Sequence, residues 1–193
     1  MTDLGRVLSS ALTDLEAIGV RSALVGGLAV SVRTEPRFTA DVDLAVAVTD
    51  DAAAQTVVRE LLQRGYTLYA TVAHDSAGRM AAARLRTSDR TPLDLLFASS
   101  GIEAEVVAAA EVLEVLPDLT APVATAGHLI ALKLLSEDRS RPSDTADLRA
   151  LLGRATARDL VDVAAAAQLI TQRGYARERD LSAALRHHLQ DRR

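Results

Sequence analysis

Apolar and polar positions alternate along the chain with two different periods. Leu4, Val7, Leu8, Ala11, Leu12, Leu15 and Ile18 recur at helical spacing and Gly19 follows where a helix would stop, which predicts a first helix ending near Ile18. S-A-L-V-G (22–26) reads as a short buried strand, Gly26-Gly27 as a turn, L-A-V-S-V-R (28–33) as the start of a short helix and 42–48 as a second strand. A helix over about 50–64 closes at Gly65. Three further strands are predicted in Y-T-L-Y-A-T-V, R-M-A-A-A-R-L-R and T-P-L-D-L-L-F-A, the first two joined through H-D-S-A-G. A helix over about 103–110 and a short strand near 112–115 precede breaks at Pro117 and Pro122. From T-A-G-H-L-I-A-L-K-L-L-S-E (125–137) onward the pattern is mostly helical. The expected fold is α/β: a core of mixed strands over 1–124 with flanking helices, then a helical C-terminal region over 125–193.

Carboxylates interrupt two of these apolar strands. Side chains two apart on a strand share a face, so Asp41 and Asp43 present their charges side by side while Val42 and Leu44 face the opposite layer. Adjacent anions repel unless a hard cation lies between them, and Mg²⁺ takes oxygen ligands and completes its shell with water and substrate phosphates. A third acid, Asp94 in T-P-L-D-L-L-F, interrupts the other strand, and three carboxylates converge on one metal site if that strand lies beside 42–48. Gly26-Gly27, between a strand and a helix, lets backbone amides approach a phosphate. Each piece alone is common; their combination in this order is specific.

Charge adds one asymmetry of placement and one of type. The chain of 193 residues has net charge −4, yet residues 139–193 hold 11 Arg against 7 acids, leaving about −8 on the rest. That excess suits a phosphate-rich partner but equally a solvated helix face. Arg173, Arg177 and Arg179, flanking Gly174 in an expected exposed turn, are the first candidates for such contacts. Of the 22 basic residues only Lys133 is Lys, a compact point charge that a planar guanidinium does not replace at a phosphate.

The composition also excludes chemistry. There is no Cys, hence no disulfide, thiolate metal site or Cys nucleophile. The N-terminus carries Asp3, Asp14 and Glu16 and no long apolar run, so a signal peptide or membrane association is not expected and the cytoplasm is the default location. His128 reads as a capping or core residue, His74 as part of a hairpin loop and His187-His188 as an exposed tail, with no zinc-type spacing. Ser99-Ser100-Gly101 reads as a loop and helix cap. Tyr66, Tyr69, Phe38 and Phe97 are too scattered for a single-strand stacking platform.

V-G-G-L-A-V-S-V-R-T-E-P-R-F-T-A-D-V-D-L-A-V-A-V resembles the first motif of the polymerase-β-like nucleotidyltransferase superfamily. Its R-F-T-A-D-V-D form is closest to the AbiEii and Men-type toxin nucleotidyltransferases. L-I-A-L-K-L-L-S-E-D-R-S-R-P-S-D-T-A-D-L-R-A-L resembles that group's helical motif, so the resemblance spans about 20–152. The chain departs from it with Ser143 before Asp144 and with Gly-Gly where the wider superfamily has Gly-Ser. The resemblance implies transfer of a nucleoside monophosphate from an NTP with Mg²⁺ as cofactor. In it Asp41 and Asp43 hold the metal, Asp94 positions or deprotonates the attacking hydroxyl, and Lys133 contacts the triphosphate. Asp144 fixes Lys133 or the nucleotide, Asp147 holds the helical region together, and Arg37 and Thr39 line the phosphate mouth. The implied acceptor is RNA, foremost the acceptor end of tRNA, with a cognate antitoxin as partner. Transfer to a small molecule such as an aminoglycoside, or to a protein hydroxyl, is the second reading, and a non-catalytic binding module the third.

Overall fold

The computed structural model describes residues 2–74, 77–87, 91–138 and 142–190. Helix α1 (Asp3–Ala17) is capped by Thr2, whose hydroxyl accepts from the Gly5 amide, and the chain leaves it through Gly19 at φ +71°. Then follow β1 (Ser22–Val25), α2 (Gly26–Arg33), β2 (Val42–Val46), α3 (Asp51–Gln63), β3 (Thr67–Ala73), β4 (Met80–Arg86), β5 (Pro92–Leu96) and α4 (Glu103–Ala108). A hairpin of β6 (Glu111–Leu116) and β7 (Leu119–Val123) precedes α5 (Ala126–Ser136), α6 (Pro142–Arg154), α7 (Ala157–Gln172) and α8 (Leu181–Gln190).

The strands form one mixed sheet in the order β3-β4-β5-β2-β1-β7-β6. β2 runs parallel to β5 and antiparallel to β1, and β4 runs antiparallel to β5. Because opposed residues share a face, the register sorts the side chains into two layers. Leu24, Val42, Leu44, Leu93, Leu95 and Leu85 make an apolar layer, each at most 1% exposed. Burying each such side chain contributes about 1.5–3 kcal/mol before the opposing entropy. The other face carries Val25, Asp43, Asp94 and Arg84 in one row across β1, β2, β5 and β4. The adjacency of the 92–97 and 42–48 strands, on which convergence of the acids depended, is present.

Two local expectations change. The glycine pair is the first turn of α2 rather than a turn before it, with Gly26 at φ +66°. Pro122 does not break the chain: it sits in β7, opposite Val112. The hairpin turns on Pro117-Asp118, with Asp118 at φ +63°, a conformation that a short polar side chain tolerates. Pairing of β7 with β1 is confined to Leu24 opposite Val123, beyond the proline and its missing amide proton.

Helix α5 packs against α2, α6, α7 and α8, and α2 packs on β1 and β2, so the helices after residue 125 reach the carboxylate row through α2 and α5. In the His74–Gly78 connection, Asp75 and Ser76 lie outside the described residues. His74 lies in the β3–β4 connection, as its sequence context suggests, and is buried there, its ring 4.5 Å from that of Tyr175. No helix among the described residues is long and apolar enough to cross a membrane.

Candidate active site

The carboxylate row meets the start of α2 where the glycines allow it. A Cβ built on Gly26 would fall 1.9 Å from Asp43 Oδ2, so Asp43 occupies the space that any other residue at position 26 would fill. A Cβ on Gly27 would fall 2.7 Å from an Arg37 terminal nitrogen and 3.1 Å from Thr39 Oγ1. The glycine pair thus admits Asp43, Arg37 and Thr39 to the mouth of the helix, a use of the two residues that the phosphate-loop reading of the sequence did not contain.

Burial pushes the Asp43 carboxyl up to about 7, and the neighbouring charges of Asp41 and Asp94 push in the same direction. Lys133 and a hydrogen bond from the Gly27 amide pull it back. Burial also raises Asp94, opposed by the Arg84 guanidinium and assisted by Asp41. Thr39 donates its hydroxyl proton to Asp41 Oδ1 at 3.1 Å. Asp94 lies opposite Arg84 across β5 and β4, with Arg84 Nε 3.3 Å from Asp94 Oδ2. Among the described residues no three His, Asp or Glu side chains stand close enough together to hold one metal ion. A pair of carboxylates is nonetheless the donor set Mg²⁺ ordinarily uses, since it takes one or two carboxylates and draws the remaining ligands from water and phosphate. Two like charges, Asp41 and Asp94, bear on the buried Asp43, and a cation beside them would relieve that repulsion.

Lys133 is fixed from the other side. Its Nζ lies 2.7 Å from Asp144 Oδ1 and 2.8 Å from Asp147 Oδ2, both acids buried one turn apart on α6. Asp147 Oδ2 also receives an Arg37 terminal nitrogen at 2.6 Å, and Arg37 donates a second bond to the Phe38 carbonyl. Contacts therefore link Asp144, Lys133, Asp147 and Arg37, while Thr39, also beside Gly27, holds Asp41. Asp147 does more than hold the helical region: it joins the lysine to the loop before β2. An ammonium has three N–H groups, so one remains after the two aspartates are served.

Sequence reasoning brought these ten residues together but missed Arg84. The signal was present, because Arg84 and Arg86 are the charged residues inside the apolar run of β4 and two-residue spacing puts both on one face. The C-terminal arginines stand in an exposed turn, as expected, and each has partners within the fold. Arg173 bonds Glu105 and the Gly101 carbonyl, Arg177 the Ser99 carbonyl, and Arg179 the Leu134 and Glu137 carbonyls. These bonds fasten the turn between α7 and α8 to the rest of the fold. Arg139, Arg141, Arg192 and Arg193 lie outside the described residues. His188 likewise is half-buried against Glu137 at 3.0 Å rather than in an exposed tail. His128 sits at the N-terminus of α5, where the Thr125 hydroxyl caps its amide, and burial holds its imidazole below the usual value. The 99–101 loop is a cap: Glu103 Oε1 accepts from the Ser99 and Ser100 amides and the Ser100 hydroxyl.

The family model described as "Nucleotidyl transferase AbiEii toxin, Type IV TA system" matches residues 10–193. Among curated proteins none matches the sequence. Solved structures with the same fold include ANT(2'')-Ia in complex with adenylyl-2''-tobramycin (TM-score 0.58, 15% identity, 86% of this chain and 98% of that one). An antigenic nucleotidyltransferase-like protein from Paracoccidioides brasiliensis is similar at TM-score 0.55 and 18% identity over 95% and 92% of the two chains. The lincomycin-bound lincosamide antibiotic adenylyltransferase LnuA is similar at TM-score 0.51 and 17% identity over 80% and 99%. At these identities the likeness is one of fold.

Proposed function

We propose, since the chain belongs to the AbiEii nucleotidyltransferase toxin family, that it moves a nucleoside monophosphate from an NTP to RNA. The proposed acceptor is the 3′ end of tRNA, whose modification would block translation, and a cognate antitoxin would restrain the protein. The observation that carries the transfer chemistry is the convergence of Asp43 and Asp94, opposite each other on β2 and β5, beside Gly26 and within reach of the charge of Lys133.

Asp41 and Asp43 are the residues that would hold Mg²⁺, which when bound neutralises charge on the triphosphate. The Gly26 amide and the Arg37 guanidinium would meet the phosphates while the Gly27 amide holds Asp43, Thr39 orients Asp41, and Lys133 supplies positive charge while Asp144 and Asp147 keep it in place. Asp94 takes the proton of the acceptor hydroxyl as that oxygen bonds the α-phosphorus. The bond to the bridging oxygen breaks and pyrophosphate leaves with its electron pair. Most of the acceleration would come from positioning and charge neutralisation.

A second reading, transfer to a small-molecule hydroxyl, draws on the fold shared with ANT(2'')-Ia and LnuA. Incubating the protein with each α-labelled NTP, Mg²⁺ and either total RNA or a panel of aminoglycosides and lincosamides separates the two. Label in RNA supports the first reading; label only in the small molecules replaces it with the second.

A further inference from the structure

The face that carries Asp94 continues toward the sheet edge with cationic and aromatic side chains. Arg84 lies directly opposite Asp94, and Arg86, two residues on and opposite Pro92, shares its face. Arg84 touches Asp94 through Nε but its side chain stays 51% exposed. The Arg86 guanidinium stands 4.1 Å from the centre of the Tyr69 ring on β3, the edge strand, and Tyr69 is 63% exposed. Every residue of β3 except Ala70 is exposed, so this end of the sheet is open to a ligand. Asp94, Arg84, Arg86 and Tyr69 thus form one strip running outward across β5, β4 and β3.

We propose that Arg84, Arg86 and Tyr69 form the track that seats the single-stranded end of a nucleic-acid acceptor, leading its terminal hydroxyl to Asp94. This rests on the reading of RNA as acceptor and gives that reading a surface. An acceptor hydroxyl has to reach Asp94, and in a polynucleotide the adjoining backbone carries phosphates, which two guanidiniums beside Asp94 attract. An exposed tyrosine already paired with an arginine is a platform for a base, because every base has a π-face and stacking is tolerant of sequence. The same two positive charges disfavour a polycationic small acceptor at this place.

The test is steady-state transfer to RNA by the full chain carrying Arg86→Ala, Tyr69→Ala or Tyr69→Phe, with nucleotide affinity measured in parallel on the same preparations. The surface character of these positions leaves the fold in place, and retained nucleotide binding verifies it. Arg86→Ala and Tyr69→Ala each raise KM for RNA on the order of tenfold, with kcat and nucleotide affinity little changed, while Tyr69→Phe stays near wild type. Arg86→Ala also lowers the slope of log affinity for RNA against log salt by about 0.7–0.9. Unchanged KM and salt slope in both Ala variants overturn the track while leaving RNA as the acceptor, provided the wild type labels RNA. An equal loss of nucleotide affinity reassigns the strip to the nucleotide and overturns it too. Wild-type protein that labels only small molecules overturns both the track and the RNA reading.

Discussion

Asp43 and Gly26 occupy the same pocket of space: the aspartate's Oδ2 lies where a Cβ at position 26 would stand, 1.9 Å from it. Gly26 is also at φ +66°, a conformation that costs other residues on the order of 1–3 kcal/mol. Gly26→Ala is expected to lose at least that much stability in urea unfolding and to lose transfer, because the carboxylate has to move. Gly27→Ala meets the end of Arg37, a flexible side chain, and the Thr39 hydroxyl. It is expected to lose much less stability than Gly26→Ala, and equal losses in both variants would show that the contact with Asp43 does not decide the difference.

Asp43 gives the metal-free protein a pH dependence whose sign follows from its raised pKa. Folded, it titrates at about 7; its ordinary value is 3.8. Below the ordinary value both states are protonated and the group is neutral to stability. Between the two values the folded state holds a proton that the unfolded state has lost, so stability falls by roughly 1.4 kcal/mol per pH unit as pH rises, and above 7 the full penalty applies. Asp43→Asn is therefore expected to be more stable than wild type at pH 8 without divalent cations, with the gain shrinking as pH is lowered to 5. Transfer activity is expected to be lost in the same variant. Denaturant titrations at several pH values measure the first effect, and a gain that grows on acidification would contradict it.

The lysine and its two aspartates couple the helices to the site. Lys133→Ala leaves Asp144 and Asp147 buried beside one another, with Arg37 their one counter-charge among the described residues, and is expected to cost about 3–5 kcal/mol. Lys133→Arg keeps the charge but substitutes a planar fork for a point contact held by two oxygens, so it is expected to fold with a smaller loss and to lose most transfer. Wild-type rates in a folded Lys133→Arg protein would remove Lys133 from the chemistry.

Arg173, Arg177 and Arg179 are expected to affect stability rather than acceptor affinity. Replacing all three with Ala removes the contacts that hold the α7–α8 turn to the 99–105 segment and to the end of α5. The expected result is a lowered thermal midpoint with the salt dependence of RNA transfer unchanged, as long as the assay is run where the variant is folded. A flattened salt slope at full stability would return these arginines to the RNA surface.

The adjacency of Asp43 and Asp94 was legible because its physical signal is local: a charge inside an apolar strand is costly unless it has a purpose, and both lie inside strands that pair, whereas Asp41 stands just before β2 rather than on it. The helix ends and the buried strands were legible for the same reason. What escaped was settled by partners distant along the chain. Nothing near Arg179 indicates that it bonds the Leu134 carbonyl, and nothing near Asp147 indicates that it receives both Lys133 and Arg37. The β6–β7 hairpin was hidden by its turn, in which Asp118 adopts positive φ without a glycine and Pro122 sits inside the returning strand.

The central claim is that the carboxylates centred on Asp43 direct a nucleotide onto the 3′ hydroxyl of RNA, and it is tested most directly by blocking that hydroxyl. Total RNA is divided, one half is oxidised with periodate to destroy its terminal diol, and both halves are incubated with the protein, Mg²⁺ and each α-labelled NTP. Label is expected in the untreated RNA with at least one nucleotide, none in the oxidised RNA, and none in either half with Asp43→Asn. Equal labelling of oxidised and untreated RNA, or labelling that survives in Asp43→Asn, would contradict the account.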